Sequence, residues 1–240
     1  MSIDEGVRLD DLQYKGLYIY QSSSLPAFTQ DTVLLADFAK LKQTDNAVDL
    51  GAGTGALTLL AYGRYKASFT CVEINPEAVR LLRRTMEYNK LSVPVYELDF
   101  SNSHKALGEG VFSAVLSNPP YFQGGTKSPD ADREQSRRSS KQNALNEVCC
   151  AAFRLLRHGG KFYCSYPAGA LPQAFMHMQN NGLMPKRYRL VANTIKAPPY
   201  LALIMAQKGA KPGAKAEQLL FLRDDDFTYS NEYLKIYHME

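Results

Sequence analysis

The chain of 240 residues lacks long apolar segments, and its longest uninterrupted apolar run covers seven residues, from Tyr200 to Ala206. A membrane-spanning helix needs roughly 18–20 consecutive apolar residues, so we expect no transmembrane span. The first eleven residues are acidic and lack the apolar core of a secretory signal, which argues against export.

Cysteine and histidine are also scarce, with four residues of each type. The cysteines form no Cys-x-x-Cys pair and have no histidine at metal-ligand spacing, so we predict no bound metal ion. Each lies in an apolar stretch, where a reduced, buried thiol is the usual form. These features predict a cytoplasmic protein. The residues concerned are Cys71, Cys149, Cys150 and Cys164.

The composition has no unusual bias, since apolar residues make up 45% of the chain and charged residues 22%. These proportions argue against disordered, collagen-like and coiled-coil proteins. The length allows one large domain or two small ones. Because no segment resembles a linker, we expect a single domain over 1–240, with an N-terminal extension and helix (1–45), a core (46–210) and a C-terminal tail (211–240).

Positive charge is concentrated in one part of the sequence. Residues 133–215 contain 14 basic side chains and two acidic ones, Glu134 and Glu147, giving a net charge of +12. Residues 1–120 have a net charge of −3 and residues 216–240 a net charge of −4. A basic segment of this size is typical of a protein with a polyanionic partner. The alternative is a solvated face without a ligand.

Strand-length apolar runs alternate with helix-length amphipathic segments, which predicts a parallel, doubly wound α/β fold. Two later apolar segments, Arg187–Ala192 and Leu201–Gln207, favour an antiparallel pair. A further helix is predicted over Asp31–Leu41, and loops over Gln123–Gln142 and Gly209–Lys215. The predicted strands are Ala47–Leu50, Ser68–Glu73, Val93–Leu98, Val111–Ser117 and Lys161–Tyr166, and the helices between them are Ala56–Arg64, Pro76–Asn89 and Asn143–Arg157.

A glycine-rich turn follows the first predicted strand of the core, in VDLGAGTG (Val48 to Gly55). Gly51 and Gly53 permit close backbone approach, and the helix that begins behind them can hold an anionic group. Glu73, at the end of the next strand, can accept both hydroxyls of a ribose. The pattern suits a nicotinamide dinucleotide, a flavin or S-adenosylmethionine, and its strand and helix context favours such a nucleoside-type ligand over a purely structural turn.

The sequence SNPPYF (Ser117 to Phe122) directly follows the fourth predicted strand. Two consecutive prolines stiffen this segment and would hold the Asn118 amide and the Pro119 carbonyl in fixed directions. Two oxygen acceptors that bind the hydrogens of a planar amine stabilise the charge that develops as its nitrogen attacks. The pattern therefore predicts methylation of an amine, with an irregular proline-rich turn as the alternative.

In this order and spacing, VDLGAGTG, VEINPE and SNPPYF resemble the S-adenosylmethionine-dependent amino-methyltransferases of the seven-stranded class. Within that class, the whole chain resembles the bacterial tRNA adenine-amino methyltransferases that modify valine tRNA beside the anticodon. The supporting segments are RLDDL (Arg8–Leu12), FTQDTVLLADFA (Phe28–Ala39), EYNKL (Glu87–Leu91), LLRHGGKF (Leu155–Phe162) and PKRYRLV (Pro185–Val191).

The resemblance implies a Rossmann-like, seven-stranded, mostly parallel sheet of the class I methyltransferase fold and S-adenosyl-L-methionine as cofactor. Asp99 would bind the cofactor adenine, although it could also be an ordinary turn residue. The segment Phe28–Asp31 would close over the methionine end, although Thr29 or Asp31 could instead cap the following helix. The implied cofactor-binding residues are Gln30, Asp31, Asp49, Gly51, Gly53, Glu73, Asp99 and Asn118.

The resemblance also implies methyl transfer to the 6-amino group of an adenine in tRNA. The catalytic residues would be Asn118, Pro119, Pro120 and Tyr121, with Phe122 more simply a core residue. The RNA contacts would be Arg133, Arg137, Arg138, Lys141, Lys186 and Arg187.

Two other interpretations of the function remain open. The same chemistry could act on a protein glutamine or an rRNA guanine, or the chain could be a non-catalytic RNA-binding module.

Overall fold

The computed structural model describes residues 6–119 and 144–238. An antiparallel hairpin of β1 (Val7–Asp11) and β2 (Tyr18–Ser22) precedes the main sheet. This hairpin was not predicted from the sequence. Its strands are five residues long, and β1 contains Arg8, Asp10 and Asp11, so its apolar pattern is too short to stand out.

Within the described residues, the main sheet has seven principal strands and two strands of two residues each. They are β3 (Asn46–Leu50), β4 (Ser68–Glu73), β5 (Val95–Glu97), β6 (Phe112–Ser117), β7 (Leu156–Pro167), β8 (Leu183–Ala192), β9 (Leu201–Lys208), β10 (Lys215–Ala216) and β11 (Leu220–Phe221). The order of the sheet is β10-β8-β9-β7-β6-β3-β4-β5, with β11 also paired to β8. The five strands β3 to β7 run parallel, whereas β9 is antiparallel to both β7 and β8.

Helices cover both faces of this sheet. In the helix Pro76–Tyr88 (α3), the Asn75 side chain accepts hydrogen bonds from the Glu77 and Ala78 N–H groups and Pro76 occupies the first turn, so this helix has a strong start signal. The helices are α1 (Gln30–Phe38), α2 (Ala56–Tyr65), α3 (Pro76–Tyr88), α4 (Ser103–Leu107), α5 (144–155), α6 (Leu171–Asn180) and α7 (Asn231–Tyr237).

Alternate residues of the central strands point into two apolar cores. Leu116 of β6 and Tyr163 of β7 pack with residues of α1 and α2 on one face. Their neighbours Val115 and Phe162 pack with residues of α5 and α6 on the other face. This period of two, with apolar residues at both phases, is the pattern of a parallel sheet that is buried on both sides.

The predicted α/β alternation and the antiparallel pair near the end are confirmed. The main difference is at β7, which begins at Leu156 and not at the predicted Lys161, because Leu156 pairs with Phe112 across a bulge. The preceding helix correspondingly ends at 155. The predicted loop at Gln123–Gln142 lies outside the described residues. Within 6–119 and 144–238, no helix is long and apolar enough to cross a bilayer.

Candidate active site

The glycine-rich turn after β3 lies at the carboxyl edge of the sheet. Gly51 and Gly53 have φ angles of +73° and +55°, which favour glycine, and a Cβ atom placed on either would meet no heavy atom within 4 Å. The backbone N–H groups of Gly51 and Ala52 donate to the Val72 carbonyl at 2.9 and 3.1 Å. The turn is therefore anchored to β4 and faces open space.

Glu73, at the end of β4, is fixed by the backbone around it. Its Oε2 accepts from the Gly53 N–H at 2.8 Å, and its Oε1 accepts from the N–H groups of Ile74 and Asn75 at 2.9 Å each. Three charge-assisted hydrogen bonds hold this carboxylate against the glycine turn. Its orientation is therefore set before any ligand binds.

Asp49 lies at the same edge, one residue before the end of β3, and is buried. The Thr58 hydroxyl of α2 donates to its Oδ2 at 2.8 Å. Burial raises the pKa of this carboxyl from 3.8 to about 7, the Thr58 bonds lower it, and the charge of Glu73 raises it further. A cation beside Asp49 would stabilise its ionised form.

Asn118 follows β6 directly, and its side chain is held from two other elements. Its Nδ2 donates to Thr32 Oγ1 of α1 at 3.0 Å. Its Oδ1 accepts a short hydrogen bond from Ser165 Oγ of β7. The neighbouring Ser117 donates to the Leu50 carbonyl of β3 at 2.8 Å, which ties this end of β6 to the start of the glycine turn.

The beginning of α1 contributes a polar cluster. Gln30 Nε2 donates to the Tyr200 hydroxyl at 3.2 Å, and the Tyr233 hydroxyl donates to Gln30 Oε1 at 3.4 Å. Burial raises the pKa of Asp31 from 3.8 to about 6. Thr29 occupies the N-cap position of α1 without a side-chain capping bond, and Asp31 lies in the first turn.

Asp99 follows β5 at the same edge as Glu73, because the Leu98 N–H donates to the Glu73 carbonyl at 3.0 Å. Its Oδ1 accepts from the Ser101 N–H at 2.8 Å and caps a short 3-10 helix, Phe100–Asn102. Asp99 is therefore a turn residue, as the alternative interpretation expected. It also lies at the sheet edge where Glu73 is located.

A family model described as "Methyltransferase small domain" matches residues 28–166. The chain belongs to this family. The match includes the glycine-rich turn, Glu73, Asp99 and Asn118. The protein is therefore a methyltransferase, and S-adenosylmethionine is its methyl donor.

Curated relatives of this methyltransferase from several bacteria are named tRNA1(Val) (adenine(37)-N6)-methyltransferase. The protein from Shewanella amazonensis is 33% identical over 181 residues, which cover 74% of this chain and 76% of the relative. The protein from Bacteroides fragilis is 27% identical over 229 residues, which cover 93% and 94% of the two chains.

Solved structures share the fold of the methyltransferase. A predicted O-methyltransferase from Agrobacterium tumefaciens aligns with a TM-score of 0.72 at 17% identity, covering 87% of this chain and 96% of that one. The Thermus thermophilus 16S rRNA N2 G1207 methyltransferase, in complex with AdoMet and guanosine, aligns with a TM-score of 0.59 at 21% identity, covering 87% and 52%. The predicted class I methyltransferase fold is confirmed.

The residues at the carboxyl edge of the sheet of the methyltransferase fit its methyl donor. The space in front of Gly51 and Gly53 admits a ligand close to the backbone. Glu73 presents a fixed carboxylate, which suits the paired hydroxyls of a ribose. Asp49 presents a buried carboxyl, which suits the cationic amino group of a methionine.

Two predicted RNA contacts of the methyltransferase differ in their surroundings. Arg187 is half-buried: it stacks on the Phe38 ring at 4.1 Å, donates to the Phe38 carbonyl and pairs with Glu217 at 2.9 Å. Its guanidinium is thus committed to contacts within the protein. Lys186 Nζ donates to the Lys211 carbonyl at 3.2 Å in an exposed position. Six other predicted site residues, Pro120, Tyr121, Arg133, Arg137, Arg138 and Lys141, lie outside the described residues.

The structure also reveals site residues that the sequence analysis missed. Thr32 and Ser165 contact Asn118, and Tyr200 contacts Gln30. The available signal for Ser165 was a serine within the apolar second half of β7, from Phe162 to Pro167. Tyr200 follows the turn Ala197-Pro198-Pro199, and it reaches this edge because β9 is antiparallel to β7 and starts where β7 ends.

Proposed function

We propose that this methyltransferase transfers a methyl group to the exocyclic 6-amino group of an adenine in tRNA, in valine tRNA next to the anticodon. The observation that carries the proposal is the Asn118 amide, held by two side chains at the carboxyl end of β6 beside the glycine-rich turn. The relatives named tRNA1(Val) (adenine(37)-N6)-methyltransferase support the substrate. Their names favour this substrate over a protein glutamine or an rRNA guanine.

Asn118 and Pro119 would act on the acceptor amine. Asn118 Oδ1 and the Pro119 carbonyl accept its two hydrogens, which turns the nitrogen lone pair towards the methyl group and stabilises the positive charge that develops. The bound donor supplies a methyl group that is attached to a positively charged sulfur atom. When the bond between sulfur and methyl breaks, the sulfur leaves as part of a neutral thioether. As the new N–C bond forms, the acceptor amine becomes cationic and then loses a proton to water. Alignment of this kind can lower the barrier by roughly 7–11 kcal/mol.

The other predicted residues have supporting roles in this proposal. Pro120 stiffens the segment, and Tyr121 stacks on the extruded adenine, an interaction worth roughly 1–3 kcal/mol per base. The donor is bound by Gln30, Asp31, Asp49, Gly51, Gly53, Glu73 and Asp99, together with Asn118.

We also propose that Arg133, Arg137, Arg138, Lys141 and Lys186 contact RNA phosphates. Arg187 is left out because of its internal contacts. The protein would work as one domain in the cytoplasm.

Incubation of the protein with labelled S-adenosylmethionine and unmodified valine tRNA tests this function. We expect label in N6-methyladenosine next to the anticodon. Asn118→Ala should lower the rate at least 100-fold without unfolding the protein, since one preorganised acceptor contributes on that scale. Asn180→Ala, an exposed position at the end of α6, is the matched control and should keep full activity.

Parallel incubations with rRNA, DNA and bulk protein decide between the alternatives. Label in rRNA or protein and none in tRNA would overturn the substrate assignment. Donor binding without transfer to any fraction would establish a non-catalytic module. Equal rates for Asn118→Ala and the unaltered protein would refute the mechanism.

A further inference from the structure

The side chain of Asn118 is bound at both ends of its amide group. Thr32 Oγ1 accepts from Nδ2, and Ser165 Oγ donates to Oδ1. Thr32 is 4% exposed and Ser165 is 0% exposed, so water does not compete for these bonds. Thr32 belongs to α1, Asn118 directly follows β6, and Ser165 belongs to β7. The three side chains meet at the carboxyl edge of the sheet.

We propose that Ser165 and Thr32 are positioning residues that hold the Asn118 amide in the orientation needed for methyl transfer. This inference rests on the proposed function, because it assigns Asn118 Oδ1 as an acceptor for the substrate amine.

An amide oxygen has two lone pairs and an amide nitrogen has two hydrogens. Ser165 occupies one lone pair of Oδ1 and leaves the other for a hydrogen of the acceptor amine. Thr32 holds Nδ2 on the opposite side of the group. If the amide rotated by half a turn, Nδ2 would present hydrogens to an amine that already carries hydrogens, and the contact would become repulsive. Both hydroxyls therefore fix the acceptor direction before the substrate arrives.

The location of Ser165 supports this role over a purely structural one. In register, Ser117 of β6 faces Cys164 of β7, so Asn118 and Ser165 extend the same pairing by one residue. A serine hydroxyl buried inside a strand is costly unless it has a partner. Here, the partner is the side chain on which the chemistry depends.

Steady-state kinetics of Ser165→Ala, Thr32→Val and Thr32→Ser test the inference. Misplacement of a reacting group by about 1 Å can cost about 100-fold in rate, so we expect kcat to fall by about 10- to 100-fold in Ser165→Ala and Thr32→Val. Thr32→Ser retains the hydroxyl and should recover kcat to within about threefold of the unaltered protein. KM for the methyl donor should change much less than kcat in all three, because Asn118 is the one proposed donor-binding residue whose contacts these substitutions alter.

Two buried hydroxyl residues away from the site serve as matched controls. Ser113 accepts from the Asn46 N–H at 3.0 Å and donates to Asp45 at 2.7 Å, at the opposite end of β6. Thr85 of α3 accepts from the Tyr20 N–H at 3.0 Å. Ser113→Ala and Thr85→Val should lower thermal stability but retain kcat. If they lose kcat as strongly as the test variants, or if the test variants retain it, the inference is wrong.

A measurement without substrate separates this inference from the proposed function. The side-chain NH₂ signal of Asn118 in a ¹⁵N NMR spectrum should exchange slowly with water in the unaltered protein and faster in Thr32→Val. Fast exchange in the unaltered protein would overturn the inference. If the unaltered protein methylates another amine and not tRNA, the proposed function fails, and the same kcat comparison on that amine still decides the role of Ser165 and Thr32.

Discussion

Asp49 is a buried carboxyl whose pKa lies near neutral pH. Its environment consists of the Thr58 hydroxyl, the nearby charge of Glu73 and apolar neighbours, and burial is the largest cause of the upward shift to about 7. Because the folded-state pKa is above the ordinary value of 3.8, the ionised carboxyl is disfavoured in the folded protein. The contribution of Asp49 to stability is therefore complete below about pH 4 and is lost as pH rises through about 7.

Replacing Asp49 should change how stability responds to pH. We expect Asp49→Asn, which cannot ionise, to gain in Tm relative to the unaltered protein as pH rises from about 5 to about 8. Thermal unfolding in the absence of the methyl donor measures this difference. The exposed Asp225→Asn is the control and should show a constant difference. A pH-independent difference for Asp49→Asn would contradict the prediction.

The same carboxyl should make donor binding depend on pH. Ionisation of Asp49 supplies the charge that the donor amino group would meet, so affinity should rise about tenfold between pH 6 and pH 8 for a pKa of about 7. Isothermal titration calorimetry measures this change and the accompanying release of protons. Asp49→Asn should bind weakly at both pH values. Pronounced pH dependence in this variant would assign the effect to another group.

At the scale of elements, the hairpin of β1 and β2 is joined to α3 by side chains that form hydrogen bonds with the backbone of β2. Asn89 Oδ1 accepts from the Tyr18 N–H at 2.9 Å, and its Nδ2 donates to the Tyr18 carbonyl at 2.6 Å. Thr85 Oγ1 accepts from the Tyr20 N–H at 3.0 Å. These bonds satisfy backbone groups along β2 that a further strand would otherwise pair.

Removal of the Asn89 side chain should therefore loosen the hairpin selectively. We expect Asn89→Ala to lower the free energy of unfolding by about 1–2 kcal/mol, because two hydrogen bonds to the Tyr18 backbone are lost. Native-state hydrogen exchange should show reduced protection in β1 and β2 while the main sheet stays protected. Uniform loss of protection across both sheets would show that the hairpin unfolds together with the core.

The helices and strands that could be predicted from the sequence are those whose apolar residues form a long enough pattern to distinguish a helix from a strand. The predicted strand Ser68–Glu73 agrees with the observed β4, because a parallel strand that is buried on both faces has a largely apolar interior without polar alternation. The helix α6 was missed because its segment LPQAFMHMQN gives a weak helical pattern, with only Ala174 and Met178 buried. The start of β7 was missed because its pairing with β6 depends on a bulge.

At the scale of the molecule, the acidic tail neutralises part of the basic segment. Glu217 pairs with Arg187 at 2.9 Å, and Glu232 of α7 pairs with Arg189 at 2.7 Å. The net charge of +12 over residues 133–215 therefore overstates what this surface offers to a polyanion. The charges that remain candidates for RNA binding lie mainly in the segment after Asn118 and around Lys186.

Salt titrations of tRNA binding should distinguish the arginines in the segment after Asn118 from Arg187, which has an acidic partner within the protein. Arg137→Gln and Arg138→Gln should each reduce the slope of log affinity against log salt concentration by about 0.9, as expected for one lost phosphate contact. Arg187→Gln should leave this slope unchanged and lower Tm, because its partners are Phe38 and Glu217. An altered slope in Arg187→Gln would place this residue on the RNA surface after all.

The part of the candidate site that could be predicted consists of residues at the ends of strands. Asp49, Glu73 and Asn118 lie at or just beyond the carboxyl ends of parallel strands, and such ends meet at one edge of a doubly wound sheet. The partners of Asn118 depend instead on side-chain directions in α1 and β7, which no local pattern encodes. Tyr200 was missed for a topological reason, since its location requires β9 to be antiparallel.

The hydrogen bonds around Asn118 also have a consequence for the order of folding. They join residues separated by 86 and 47 positions along the chain, whereas the bond between Gly53 and Glu73 spans 20. Closing longer loops costs more chain entropy, and distant contacts tend to form late. We therefore expect a folding chain to complete its glycine-rich turn first and to become competent for methyl transfer only when β7 has joined the sheet.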